Sequence, residues 1–89
     1  MKKALLIGID YHNNSKLKLF GCINDINLMS GMLMDGFDYE KKNITMIRDD
    51  SNKNHLIPTK NNILRELNKI VEEDLDELWI HYSGHGTYR

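Results

Sequence analysis

Residues Ala4–Asp10 (ALLIGID) form a continuous apolar run of strand length, and this run indicates the fold of the chain. A strand that is apolar on both faces is typical of a parallel sheet covered by helices on each side. Two shorter runs of similar character follow, Ile44–Ile47 (ITMI) and Leu78–Tyr82 (LWIHY). We therefore predict three strands, of which the first and the third are buried.

A first helix is predicted between the first two strands. Asn24 or Asp25 can serve as its N-cap, and Gly36 is expected to end it. Its methionines, Met29, Met32 and Met34, are expected to fill the core rather than to form a pliable binding face. The apolar positions that recur at helical spacing are Ile26, Met29, Leu33 and Met34.

A second helix is predicted between the second and third strands. Pro58 and Thr59 open it, with Thr59 as a plausible N-cap. Its apolar side chains are expected to form one stripe that faces the sheet. The members of that stripe are Ile63, Leu64, Leu67, Ile70 and Val71.

The order β-α-β-α-β predicts an α/β fold with a mostly parallel sheet and right-handed crossovers. Ligands and catalytic groups of such sheets gather beyond the carboxyl ends of the strands. Three informative segments fall at that edge, namely the loop after the first strand, Asp49-Asp50, and Ser83–Gly86.

Length and composition exclude several classes of protein. The chain has 89 residues, 12 basic and 13 acidic side chains, and a net charge of −1, so it is one small domain without the basic patch of a nucleic-acid-binding protein. No apolar run reaches the ~20 residues of a membrane span. Cys22 is the single cysteine, which excludes an internal disulfide and fits a reducing compartment. We expect a cytoplasmic protein that binds neither nucleic acid nor membrane.

His85 is the strongest candidate for chemistry. It lies between Gly84 and Gly86 just beyond the third strand, where a backbone N–H can be aimed at an oxyanion and an imidazole can relay protons near neutral pH. The alternative is an ordinary loop histidine. His81 and His85 also form an H-x-x-x-H pair, but one of the two lies in a strand, so the helical geometry of a zinc site is absent. His81 is expected to be a strand residue with an internal hydrogen bond.

Asp25 and Cys22 each allow two interpretations. Asp25 either caps the first helix or lines a pocket where it pairs with a cationic group. Cys22 is either a small buried residue or, near a helix N-terminus, a nucleophile with a lowered thiol pKa.

The acids Asp10, Asp49 and Asp50 follow strands of a parallel sheet, where such residues can hold Mg²⁺. A site of that kind requires an acid after the third strand, and this chain has histidine and glycine there. We therefore predict no metal ligand in this chain.

Four motifs occur in the order in which a known family has them. They are Ala4–Tyr11 (ALLIGIDY), Gly21–Asp25 (GCIND), Pro58-Thr59 before a helix, and His81–Gly86 (HYSGHG). Together they resemble the amino-terminal half of a metacaspase, within the caspase-like C14 cysteine peptidases. The resemblance covers residues 3 to 89 and implies an incomplete caspase-like three-layer sandwich.

The resemblance also implies roles for individual residues. His85 would be the histidine of a cysteine–histidine dyad, and Gly86 would offer its backbone N–H to the oxyanion. Asp25 would line the pocket for the residue before the scissile bond, with Ser83 as a further lining residue. Caspases that cut after aspartate carry an arginine where this chain has Leu19, so the fixed charge of Asp25 favours Arg or Lys in the substrate.

The family's nucleophilic cysteine lies on a later strand, and its calcium-binding acids follow mostly after the catalytic histidine. We therefore expect residues 1–89 to be the amino-terminal part of a peptidase domain, inactive without a carboxy-terminal half, with no cofactor of their own and with calcium left to the complete enzyme. The expected partners are that half and a peptide or protein substrate. The alternative is an inactive binding or regulatory module, acting as decoy or partner of a full-length metacaspase.

Overall fold

The computed structural model describes residues 1–10, 21–71 and 74–84. Three strands and two helices alternate along them, with a 3₁₀ turn on each side of the second strand. The elements are β1 (Lys2–Gly8), α1 (Cys22–Gly36), β2 (Ile44–Arg48), α2 (Lys60–Val71) and β3 (Glu77–Ser83), and the turns are Lys41–Asn43 and Asn54–Leu56. This element order confirms the predicted α/β fold.

The sheet has the order β2-β1-β3, and both strand pairs are parallel. The chain thus moves from β1 to β2 in one direction and from β2 past β1 to β3 in the other. Crossovers of the same hand then require the two connecting helices to lie on opposite faces of the sheet. That is what the packing of α1 and α2 shows, and the result is three layers consistent with part of a caspase-like sandwich.

Alternate side chains of β1 enter two separate cores. Leu6 packs with Ile26 and Leu33 of α1, and Trp79 of β3 lies against this α1-side core. On the other face, Leu5 and Ile7 pack with Ile47 of β2 and Ile70 of α2. β1 is therefore buried on both faces, as its continuous apolar run predicts.

The helical stripes are narrower than predicted. Ile63 and Leu67 of α2 pack against the sheet, but Leu64 and Val71 are exposed. Met29 packs against the α1-side core. Met32 and Met34 are exposed, so the prediction that all three methionines fill the core is wrong for these two. Each helix therefore buries only part of its predicted apolar stripe.

The prediction that β3 is a buried strand is also wrong in part. Its side chains alternate, and Leu78, Ile80 and Tyr82 are exposed on the α2 face. In register, Ile80 and Tyr82 lie beside Leu5 and Ile7, which α2 covers, so α2 leaves the β3 side of that face open. No helix in the described ranges is both long and apolar enough to span a bilayer.

Candidate functional site

The first turn of α1 and the end of β3 meet at the carboxyl edge of the sheet. β3 extends through Ser83, which pairs in register with Gly8, while His81 pairs with Leu6. Since side chains alternate along a strand, His81 and Ser83 share the face of the sheet on which α1 packs. This places both side chains next to Asp25 of α1.

Asp25 is joined to β3 by a contact that spans 56 positions of sequence. Its Oδ2 lies 3.0 Å from Nε2 of His81. The hydrogen bond with His81 lowers the pKa of Asp25 most strongly, the hydroxyl of Ser83 lowers it further, and partial burial opposes both. Asp25 therefore carries its negative charge at neutral pH, with 49% of its side chain exposed.

The start of α1 differs from the prediction. The N-cap is Gly21, whose φ of 101° is in the left-handed region that favours glycine. Glycine has no side chain, so the N-cap residue itself makes no side-chain cap hydrogen bond. Neither Asn24 nor Asp25 is the N-cap, because the helix already begins at Cys22. Asp25 instead lies in the first turn, where a negative charge is favourable. The capping interpretation of Asp25 is thus wrong.

Asp10, two residues beyond the end of β1, supplies the side-chain cap of α1. Oδ1 of Asp10 accepts a hydrogen bond from the backbone N–H of Cys22 at 2.8 Å. The backbone N–H of Asp10 donates to Oδ1 of Asp49 at 3.1 Å. Asp10 is almost fully buried, so its carboxylate fixes the first turn of α1 relative to β1 and β2.

Close packing reinforces that connection. A Cβ added at Gly8 would lie 2.9 Å from Cδ1 of Ile26 and 3.1 Å from the backbone oxygen of Cys22. The absence of a side chain at Gly8 therefore lets the first turn of α1 lie directly on the end of β1. This contact fixes the first turn of α1, which includes Asp25, relative to the end of β1.

Cys22 lies at the same edge, but its environment does not favour a thiolate. Burial raises the pKa of the Cys22 thiol, and the carboxylates of Asp10 and Asp25 raise it further, whereas a hydrogen bond with Ser83 lowers it. The net change is upward, so the lowered thiol pKa considered for a nucleophile is not found. Cys22 is partly buried and lies beside Asp25 and Ser83.

Among the residues that the structure describes, no group of three or more His, Cys, Asp or Glu side chains could hold a metal ion. The acids considered for Mg²⁺ have protein partners instead. Asp50 is paired with the guanidinium of Arg48 at 2.5 Å, and Asp49 accepts from the backbone of Asp10.

The sequence-predicted site residues divide into two groups. Asp25 and Ser83 are brought together, with Cys22 beside them. His85, Gly86 and Leu19 lie outside the described residues. His81 meets the expectation of a strand residue with an internal hydrogen bond, but its link to Asp25 was missed. The alternation that gives His81 the same face as Ser83 is a signal that could have indicated it.

Asp10 was also missed as a helix cap, since it was considered only as a metal ligand. The bond joins groups 12 positions apart across residues 11–20, and no local capping pattern indicates it. An acid at the end of a buried strand that leads into a helix is the general feature that could have suggested this role.

Comparison with known proteins identifies the family. The family model described as the metacaspase, peptidase C14 domain matches residues 2–89 of this chain. The chain belongs to the metacaspase family of C14 peptidases. Family membership makes this a chain of the caspase-like cysteine peptidases and confirms the resemblance drawn from the four motifs.

Individual metacaspases are similar over nearly the whole chain. Metacaspase-1 of Scheffersomyces stipitis is 44% identical over 87 residues, which are 96% of this chain and 21% of that protein. Metacaspase-1A of Aspergillus oryzae is 46% identical over 96% of this chain and 20% of its own length. Metacaspase-1 of Debaryomyces hansenii gives the same values. The chain thus spans about a fifth of the length of these relatives.

Proposed function

We propose that this chain contributes the catalytic histidine and part of the substrate pocket to a cysteine endopeptidase that cleaves after Arg or Lys. His85 acts as the histidine, Gly86 as an oxyanion donor, and Asp25 with Ser83 as pocket-lining residues. The observation that carries the proposal is an ionised, half-exposed carboxylate, Asp25, held at the carboxyl edge of the sheet beside Ser83.

The charge of Asp25 supports a preference for cationic side chains. A guanidinium or ammonium group gains a charge-assisted hydrogen bond from a carboxylate, whereas an aspartate side chain is repelled. Loss of one such pair in a desolvated pocket costs about 2–5 kcal/mol, which is more than tenfold in discrimination. The described residues enclose no cavity around Asp25, so the proposed pocket requires walls from other segments.

The order of residues supports the assignment of His85. Ser83 is the last residue of β3, and His85 follows it by two positions in the sequence. The proposed pocket residue and the proposed catalytic residue are therefore close neighbours in the sequence. In metacaspases, which this chain resembles in its HYSGHG segment, the second histidine of that motif is the catalytic one. Gly86 follows it directly and would present an unobstructed N–H.

The chemistry needs a cysteine from outside these 89 residues. A thiolate attacks the carbonyl carbon of the scissile peptide, the C–N bond breaks, and His85 gives a proton to the departing amine. His85 then takes a proton from water, whose oxygen displaces the thiolate from the acyl-enzyme. Cys22 does not substitute for that cysteine, because its thiol pKa is raised. We therefore expect the chain alone to be inactive.

Complementation tests this proposal. The chain is mixed with the part of the Scheffersomyces stipitis relative that follows the matched segment, and fluorogenic peptides ending in Arg, Lys or Asp are compared. We expect cleavage after Arg and Lys, abolished by His85→Ala and reduced more than tenfold by Asp25→Ala. Asp35→Ala removes an exposed aspartate from the last turn of the same helix and is the matched control, expected to cleave normally.

Two results would contradict the proposal. One is cleavage after Asp, or an undiminished preference for Arg in Asp25→Ala. The other is cleavage by the purified chain alone that Cys22→Ala stops, which would make Cys22 the nucleophile.

A binding module is the second candidate, and the open side of β3 favours it. Within the described ranges β3 pairs only with β1, and its exposed apolar side chains are Leu78, Ile80 and Tyr82. An unpaired strand edge beside apolar surface promotes association with another polypeptide. This candidate predicts that the chain binds a metacaspase or a cationic peptide, the latter through Asp25, without giving activity in the complementation assay.

A further inference from the structure

We propose that His81 is a positioning residue for the Asp25 carboxylate and thereby for a cationic substrate side chain. This inference rests on the proposed function only in its second half, the binding of arginine or lysine. Its first half concerns the conformation of Asp25 and can be tested without any ligand.

A hydrogen bond connects the side chain of Asp25 in α1 to His81 in β3. Asp25 is half exposed in the first turn of α1, where a free aspartate populates several rotamers. His81 is 28% exposed and lies on β3, which is paired with β1 along its whole length. The 3.0 Å contact between Nε2 of His81 and Oδ2 of Asp25 therefore holds one carboxylate oxygen at a fixed point of the sheet.

The chemistry of the pair fixes the direction of the hydrogen bond. An ionised carboxylate only accepts, so Nε2 of His81 must carry the proton and donate it. The donated N–H of His81 orients Asp25. A lysine or arginine at this position would carry a permanent positive charge and compete with the cation of a substrate.

The carboxylate keeps acceptor capacity after this contact. Two carboxylate oxygens offer about four acceptor sites. His81 takes one of them, and the hydroxyl of Ser83 interacts with the same carboxylate. The remaining sites are available to a guanidinium, whose planar fork is well suited to an oriented carboxylate and poorly suited to a rotating one.

Scalar couplings across the Cα–Cβ bond of Asp25 give the first test, measured by NMR on the 89-residue chain. We expect one χ1 rotamer in the unaltered chain, rotamer averaging in His81→Ala, and one rotamer again in His81→Gln, whose amide can donate in place of Nε2. His55→Ala changes an exposed histidine on the Asn54–Leu56 turn and is the matched control. Unchanged Asp25 couplings in His81→Ala would overturn the proposal, as would averaging in the unaltered chain.

Peptide binding to the chain mixed with the carboxy-terminal part of the Scheffersomyces stipitis relative gives the second test, with an acetylated dipeptide amide ending in arginine as the probe and its citrulline counterpart as the neutral match. We expect His81→Ala to weaken arginine binding about tenfold, equivalent to ~1.4 kcal/mol, and to leave citrulline binding unchanged. His81→Gln should recover most of that loss. Undiminished arginine binding in His81→Ala would overturn the link to substrate.

The two tests separate the inference from the proposed function. If the mixture with the unaltered chain does not prefer arginine to citrulline, the proposed pocket fails, and the Asp25 couplings alone decide whether His81 positions the carboxylate. If His81→Ala does not fold, long-range ¹H–¹⁵N spectra of the unaltered chain decide. A protonated Nε2 supports the hydrogen bond, and an unprotonated Nε2 overturns it.

Discussion

The two helices begin in different ways. At the start of α2, Oγ1 of Thr59 accepts from the backbone N–H of Asn62 at 3.1 Å, a cap made within three positions of sequence. At the start of α1, the cap of Cys22 is the carboxylate of Asp10, which lies two residues beyond the end of β1 and 12 positions before Cys22. The first helix start depends on a distant group and the second does not.

This difference coincides with the location of the candidate site. The first turn of α1 holds Asp25, whose partner His81 is 56 positions away. The side chain of Asn62 in α2 contacts the backbone oxygens of Asn54 and Ile57, within eight positions. A helix start held by the sheet keeps its side chains in register with the strand ends, which a candidate site at that edge requires.

The largest effect is expected from Asp10→Ala, which removes the distant cap. The N–H of Cys22 loses its partner in a poorly solvated place, so we expect the free energy of unfolding to fall by about 3 kcal/mol. Urea denaturation measures it. Asp10→Asn keeps an acceptor oxygen and should lose less, and equal losses in the two variants would contradict the capping role.

Gly8→Ala tests the close approach of α1 to β1. The added methyl group meets Ile26 and the backbone oxygen of Cys22, and such overpacking costs about 2 kcal/mol. The same denaturation experiment measures the loss, and arginine-peptide binding should weaken because Asp25 moves with the helix. The control is Gly31→Ala, where an added Cβ has nothing within 4 Å. Equal stability of the two variants would refute the contact.

Thr59→Ala removes the local cap of α2. We expect a loss of about 1 kcal/mol, because one N–H of the first turn loses its side-chain acceptor. Thr59→Ser should retain most of the stability. Binding of the arginine peptide should not change in either variant, since α2 packs on the opposite face of the sheet. A change in binding would show that the two helix starts are coupled.

The smallest effect concerns pH. Because the folded pKa of Asp25 is lowered from 3.8, its contacts stabilise the fold above about pH 4, and this stabilisation is lost as pH falls through the folded pKa. The carboxylate is half exposed, so the contribution stays below about 1 kcal/mol. Urea midpoints of the unaltered chain and Asp25→Asn between pH 7 and 3 measure it. In a His81→Ala background, the difference in urea midpoint between the chain that keeps Asp25 and the Asp25→Asn variant should become smaller. An undiminished difference would exclude His81 as the main cause of the lowered Asp25 pKa.

Much of the fold was predictable from the sequence, for physical reasons visible in particular residues. The apolar run Ala4–Asp10 identified the central strand, because a continuous apolar run is typical of a strand that is covered on both faces. Thr59 was correctly predicted as a cap, since its partner is local. Asp25 and Ser83 were correctly placed at one edge, because the carboxyl ends of parallel strands coincide.

The errors share one cause. The burial of a side chain depends on the elements that pack around it, and the periodicity of a single segment does not reveal those elements. Leu64 and Val71 satisfy the helical stripe but are exposed and do not belong to the core on the α2 face. Ile80 has the character of a buried strand residue, yet it is exposed because no described element covers that side of β3. Likewise the start of α1 was placed too late, because its cap is Asp10, which lies 12 positions before Cys22 and just beyond β1.

The amino-acid sequence alone determined the order of elements, the parallel sheet and the motifs that place the chain among the metacaspases, since these depend on patterns within short segments. The tertiary structure alone decided that His81 meets Asp25, that Asp10 caps α1 and that the thiol pKa of Cys22 is raised. The physical reason is that hydrogen bonds and charge interactions act over a few ångströms. Which side chains come that close is set by sheet register and helix packing across many positions of the chain.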